Sequence, residues 1–80
     1  MELRKITLEA LKETIAQARA ACRGFDGDAM MDLARRISGY ACNGIPLKDS
    51  FEKAAQLADD FEYEAAEEEL IRLEEQLERE

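Results

Sequence analysis

Apolar residues recur at alternating three- and four-residue intervals along most of this chain, a spacing that few structures other than helices can use. Leu8, Leu11, Ile15, Ala18 and Cys22 form the first run, one apolar stripe on a helix of about four turns. Thr7 stands before it as an N-cap, and Glu9 follows in the first turn, where the helix dipole favours an acid. Gly24 is expected to end this helix as its C′ residue, and Gly24-Phe25-Asp26-Gly27-Asp28 reads as a tight connection. Asp26 or Asp28 caps a second helix with Met30, Leu33, Ala34, Ile37, Tyr40 and Ala41 on its apolar face and Met31 widening it. Asn43-Gly44 closes that helix, and Pro46 falls in the first turn of a third. Leu47, Phe51, Ala54, Ala58 and Phe61 make the third stripe. The last stripe, Ala66, Leu70, Leu73 and Leu77, is displaced by one position from a continuation of the third. That phase slip beside Asp59-Asp60 predicts a break, with one long helix from Pro46 onward as the alternative.

Four amphipathic helices with short connections predict a single all-α domain over residues 1–80, an antiparallel up-down-up-down four-helix bundle. No convincing internal repeat is read from the sequence. Composition supports helix: Ala, Glu, Lys, Leu and Arg supply 46 of the 80 residues, Val is absent, and five Ile are too few for a sheet core. A chain of this size buries only roughly 60–65% of its unfolded surface, so its core is small. A monomer is expected; a homodimer goes with the long-helix alternative.

Charge excludes several functions. Nineteen acids against eleven bases give a net charge of −8, the wrong sign for a free-standing nucleic-acid binder. No window approaches the ~20 apolar residues of a membrane span, and no apolar run follows Arg4 and Lys5 as in a signal peptide. A cytoplasmic setting is therefore the expectation, with Cys22 and Cys42 as thiols. Those two fall at opposite ends of a bundle and are expected as small buried hydrophobes without a bridge. With no histidine, imidazole-dependent catalysis is excluded, and the many carboxylate pairs suit neither a finger-type zinc site nor a Glu-x-x-His di-metal bundle. No enzymatic activity and no cofactor is expected. Residues 59–80 hold eleven acids and two bases, a solvated helix face or a docking face for a basic partner. Glu68/Arg72 and Glu75/Arg79 are spaced for ion pairs, and most of the other acids there are expected to be unpaired.

The stretch Asp28 to Pro46 reads DAMMDLARRISGYACNGIP. It resembles the histidine-containing phosphotransfer (HPt) domain, whose central helix carries a pattern like A-H-x-L-K-G-x-A followed by a glycine turn. Ala34, Ile37, Gly39 and Ala41 fall in that register, Gly44-Ile45-Pro46 stands for the turn, and the likeness spans roughly residues 8–77. The chain departs from the pattern at its centre. Arg35 holds the histidine position, Ser38 holds the lysine position, and the gap from Gly39 to Gly44 is one residue short. HPt chemistry, as the resemblance implies it, needs a neutral imidazole nitrogen that attacks an acyl phosphate on a receiver-domain aspartate. A guanidinium stays protonated and is no nucleophile, so Arg35 cannot relay a phosphoryl group. The resemblance implies a non-catalytic interaction module that binds a receiver or kinase domain through Arg35, Arg36, Ser38 and Gly39. A glycine inside a helix, as Gly39 is expected to be, is accepted where a neighbour approaches closely. The alternatives are an acidic adaptor or antitoxin-like protein for a basic partner, and an engineered or structural bundle without a biochemical role.

Overall fold

The computed structural model describes residues 2–79; Met1 and Glu80, the ends of the expected domain, lie outside the described residues. The chain is mostly helical, and the four expected helices are α1 (Leu8–Arg23), α2 (Gly27–Ile37), α3 (Lys48–Asp59) and α4 (Tyr63–Arg79). It is not wholly helical. Three short strands, β1 (Arg4–Lys5), β2 (Tyr40–Cys42) and β3 (Ile45–Pro46), form one sheet in the order β1-β2-β3.

The sheet arises where the helical reading of residues 38–46 fails. The spacing predicts α2 running through Ala41, but the helix ends at Ile37, and the Ser38 hydroxyl donates back to the Arg35 carbonyl at 2.9 Å. Asn43 and Gly44 then take φ of 52° and 79°, the pair of positive values that a two-residue type I′ hairpin requires. Ala41 faces Pro46 and Cys42 faces Ile45 across that turn. Pro46 sits on an edge strand, where its missing N–H does no harm, and not in the first turn of α3. β1 lies parallel to β2 on the other side, with the Arg4 N–H donating to the Gly39 carbonyl and the Ile6 N–H to that of Ala41.

The helix starts follow local chemistry. The Thr7 side chain accepts from the Ala10 N–H, and Asp26 accepts from Ala29, both at 3.1 Å. The break between α3 and α4 falls at residues 60–62, beside the expected Asp59-Asp60. The residue that turns the chain is Phe61, with φ of 63°, and in the first connection it is Phe25, with φ of 56°, and not Gly24. An aromatic residue in the left-handed region is an outlier and costs roughly 1–2 kcal/mol.

The two halves of the chain repeat one another at a spacing of 36 residues, as in the register pairs Arg4–Tyr40 and Lys5–Ala41. At the first helical corner Gly24 donates to Ala20, Phe25 to Cys22, Asp26 to Ala21, and Met30 to Asp26. At the second, Asp60 donates to Gln56, Phe61 to Ala58, Glu62 to Leu57, and Ala66 to Glu62, the same bonds shifted by that spacing. Core positions match likewise: Leu11 with Leu47, Ile15 with Phe51, Ala18 with Ala54, Ala34 with Leu70, and Ile37 with Leu73 are all buried. The repeat unit is thus a strand followed by a helical hairpin, a repetition the sequence reading missed.

The hairpins close on each other. α1 packs on α2 and α4, and α3 packs on α2 and α4. Lys12 reaches Glu78 near the start of α1, and Arg19 reaches Glu67 near its end, so α1 and α4 run in opposite directions. The C-terminal seam of Ala66, Leu70, Leu73 and Leu77 is fully enclosed, as its spacing predicts. Of the third stripe, Leu47, Phe51, Ala54 and Ala58 are buried, but Phe61 is 79% exposed. Leu73→Ala should therefore lower the unfolding free energy by about 2–5 kcal/mol in urea melts, the transfer cost plus the cavity left in a small core. A loss under about 0.5 kcal/mol would mean that α4 does not dock as described.

Candidate functional site

The turn after α2 places three of the four sequence-predicted residues together. Arg36, Ser38 and Gly39 line one open groove at the sheet end of the molecule, with Glu2, Leu3, Arg4 and Tyr40, so that one carboxylate stands among its cations. Lys48, at the start of α3, completes its rim. Arg35 is not among the lining residues; its side chain is 75% exposed and its ion-pair partner is Asp32, 3.9 Å away on the preceding turn. Gly39 lies outside the helix, and a Cβ built there would meet nothing within 4 Å. The close approach expected from a mid-helix glycine is therefore absent. Its role is in the backbone, where its carbonyl accepts the Arg4 N–H at 2.9 Å and so fixes β1 beside the groove.

The electrostatics of this groove differ from those of the rest of the chain. Among the described residues, neither Arg4 nor Arg36 has a carboxylate within 4 Å, and the nearest acid to Lys48 is Glu52 at 3.9 Å. A cationic, partly aromatic concavity thus sits on a protein of net charge −8. It can bind carboxylate or phosphate groups by charge-assisted hydrogen bonds. Among the described residues no group of three or more His, Cys, Asp or Glu is placed to hold a metal ion. Arg4, Tyr40 and Lys48 were not singled out from sequence. The signal that could have found them is Asn43-Gly44, whose hairpin geometry brings Tyr40 to one side of α3's start.

The C-terminal acids are less free than the sequence suggests. Glu67 lies 3.0 Å from Arg19 and 2.9 Å from Arg23, Glu69 takes Lys53 and Arg72, Glu68 takes Arg72, and Glu78 takes Lys12. The expected Glu68–Arg72 pair forms at 3.6 Å. Part of the α4 face is therefore tied to α1 and α3, while Asp59, Asp60, Glu62, Glu64, Glu74 and Glu75 are in no ion pair among the described residues.

Both cysteines are free and buried, Cys22 beside Met30 (Sγ to Sδ 4.0 Å) and Cys42 on β2. Burial raises both thiol pKa values above 9.0, and the negative charge of Glu67 adds to the rise at Cys22. Such thiols are inert toward nucleophilic chemistry at neutral pH. The sign for stability follows from linkage. Folded pKa values raised above the unfolded ones give stability that is whole below pH 9.0 and is lost as pH rises through the folded values. Lys12, raised above 10.5 by its hydrogen bond and attraction to Glu78, has the same sign at higher pH. The urea midpoint should hold steady up to about pH 8.5 and fall above about pH 9. The Cys22→Ala/Cys42→Ala variant should fall only at higher pH; an unchanged onset would mean the thiols are not responsible.

No family model, curated protein or solved structure matches this chain. No helix among the described residues is long and apolar enough to cross a membrane.

Proposed function

We propose that this protein is a non-catalytic interaction module whose working surface is the sheet-end groove of Arg4, Arg36, Ser38, Gly39, Tyr40 and Lys48. The observation that carries the reading is the convergence of Arg4 and Arg36, two cations with no ion-pair partner among the described residues, on one open concavity. A cationic groove of this kind engages an acidic protein surface through its guanidinium groups, which offer planar, forked donors to carboxylates. The HPt resemblance supplies the partner class: a receiver or kinase domain, whose phosphate-accepting pocket is rich in carboxylates. On this reading Arg36 is the main electrostatic anchor, Arg35 extends the field from the adjacent helical face, and no phosphoryl group passes through the chain. The four helices would serve as the bundle-like framework of a phosphotransfer-type domain, with the sheet as an addition that shapes the groove.

Titration of a receiver domain tests this directly. Arg36→Ala should weaken binding by about tenfold, and Arg35→Ala by less, since a rim charge costs mainly association rate. Equal binding by wild type and Arg36→Ala would remove this groove as the surface.

A further inference from the structure

At the end of the molecule opposite the sheet, three aromatic rings meet: Phe25 packs edge-on against Tyr63 with centroids 5.2 Å apart, and Phe61 does the same at 6.3 Å. Phe25 is 73% exposed and Phe61 79%, the two most exposed large apolar side chains among the described residues. They occupy equivalent corners of the repeated unit, and both are held at positive φ, where glycine or asparagine would be the unstrained choice. Both rings touch Tyr63 but neither belongs to the buried core, so most of their apolar surface faces water. The surroundings are mostly acidic, and the neighbouring base, Arg23, is tied to Glu67 at 2.9 Å. Asp26, Asp28, Asp59, Asp60, Glu62 and Glu64 flank the rings, and segments 24–34 and 54–66 contain no lysine or arginine. Among the described residues, none of those six carboxylates is in an ion pair.

We propose that the Phe25–Phe61–Tyr63 cluster is a second docking surface, and that its occupant is a basic segment of another protein bearing arginine or lysine. Ring faces attract a cation through their quadrupole, and the surrounding carboxylates add charge-assisted hydrogen bonds to the same group. Leucine or a similar side chain on the same segment would cover the remaining apolar area beside Glu62, Glu64 and Ala65. A patch-to-patch dimer of this chain is disfavoured, because it would set like charges face to face. The acids of α4 beyond Glu64 contribute little here, because four of them are already paired within the chain. This inference stands apart from the sheet-end reading, and either can fail alone.

The test is a titration of the isotope-labelled protein with a short amidated peptide alternating arginine and leucine, followed by amide chemical shifts. Shifts should centre on residues 24–28 and 60–65. Phe25→Asn/Phe61→Asn, which keeps the left-handed corners while removing both rings, should bind about tenfold more weakly. Its spectrum and melting temperature should remain those of a folded protein. Phe25→Trp/Phe61→Trp should bind at least as tightly as wild type, because indole is the stronger cation acceptor. The proposal is overturned if the asparagine variant binds equally well, or if the same peptide with glutamate for arginine binds as tightly. It is also overturned if the shifts centre on Glu74, Glu75 and Glu78. Concentration-dependent shifts at Phe25 and Phe61 without peptide would replace the foreign segment with a second copy of this chain.

Discussion

The packing of α4 against α1 is the contact on which the rest of this fold depends. Each helical hairpin presents a half-core that water would otherwise cover, and a small domain reaches stability only when both halves share one core. Successive helices meet through short connections, but α1 and α4 are joined by nothing local. Their contact is made by side chains far apart in sequence: Leu11, Ile15, Ala18 and Cys22 on one helix, and Ala66, Leu70, Leu73 and Leu77 on the other, all buried. Lys12–Glu78 and Arg19–Glu67 fix the direction of that contact at its two ends. β1 reinforces it by pairing the start of the first unit with the start of the second.

This closure also sets the molecule's two faces. Because each unit is a strand and a helical hairpin, both helical corners fall at one end, and the turn after α2, the β-hairpin and β1 gather at the other. The corners carry aromatic rings and acids; the sheet end carries Arg4, Arg36 and Lys48. On a chain of net charge −8 this sets a small group of cations at one end, beside the Glu2 and Glu78 carboxylates, apart from the unpaired acids of the corners. Such a distribution steers partners by orientation and favours association that depends strongly on ionic strength.

The helices were legible because each carries its apolar residues at helical spacing: α1 and α2 begin at a polar cap, α3 follows Pro46, and a phase slip in the stripe separates α4 from α3. Thr7 and Asp26 cap as expected, and the seam from Ala66 to Leu77 is buried as its pattern requires. The sheet was not legible, for a specific reason. Tyr40 and Ala41 happen to continue the helical spacing of Ile37, so periodicity favoured a longer helix, while Asn43-Gly44 serves equally as a helix stop and a hairpin turn. Strands of two or three residues leave no alternating pattern to set against that reading. Phe61 was misplaced in the core because it continues the stripe of Ala54 and Ala58, and only the backbone turn at that residue ejects it. The repeat was hidden because its two copies share burial more than identity: Leu11/Leu47, Ala18/Ala54 and Phe25/Phe61 match, but Cys22/Ala58 and Met30/Ala66 differ. Arg36 and Gly39 were found as a surface pair, but their true neighbours Arg4 and Lys48 come from other elements and needed the tertiary fold.

Native-state hydrogen exchange, residue by residue, tests the closure most directly. If the two units share one core, the slowest amides of α1, α2, α3 and α4 exchange through a single opening with one free energy, and that opening matches the global unfolding free energy from denaturant. The amides of Ile6 and Leu47, which donate to Ala41 and Tyr40 within the sheet, are protected as well. Separate opening free energies for residues 8–37 and 48–79, with Ile6 exchanging at the rate of an unstructured amide, would contradict the account.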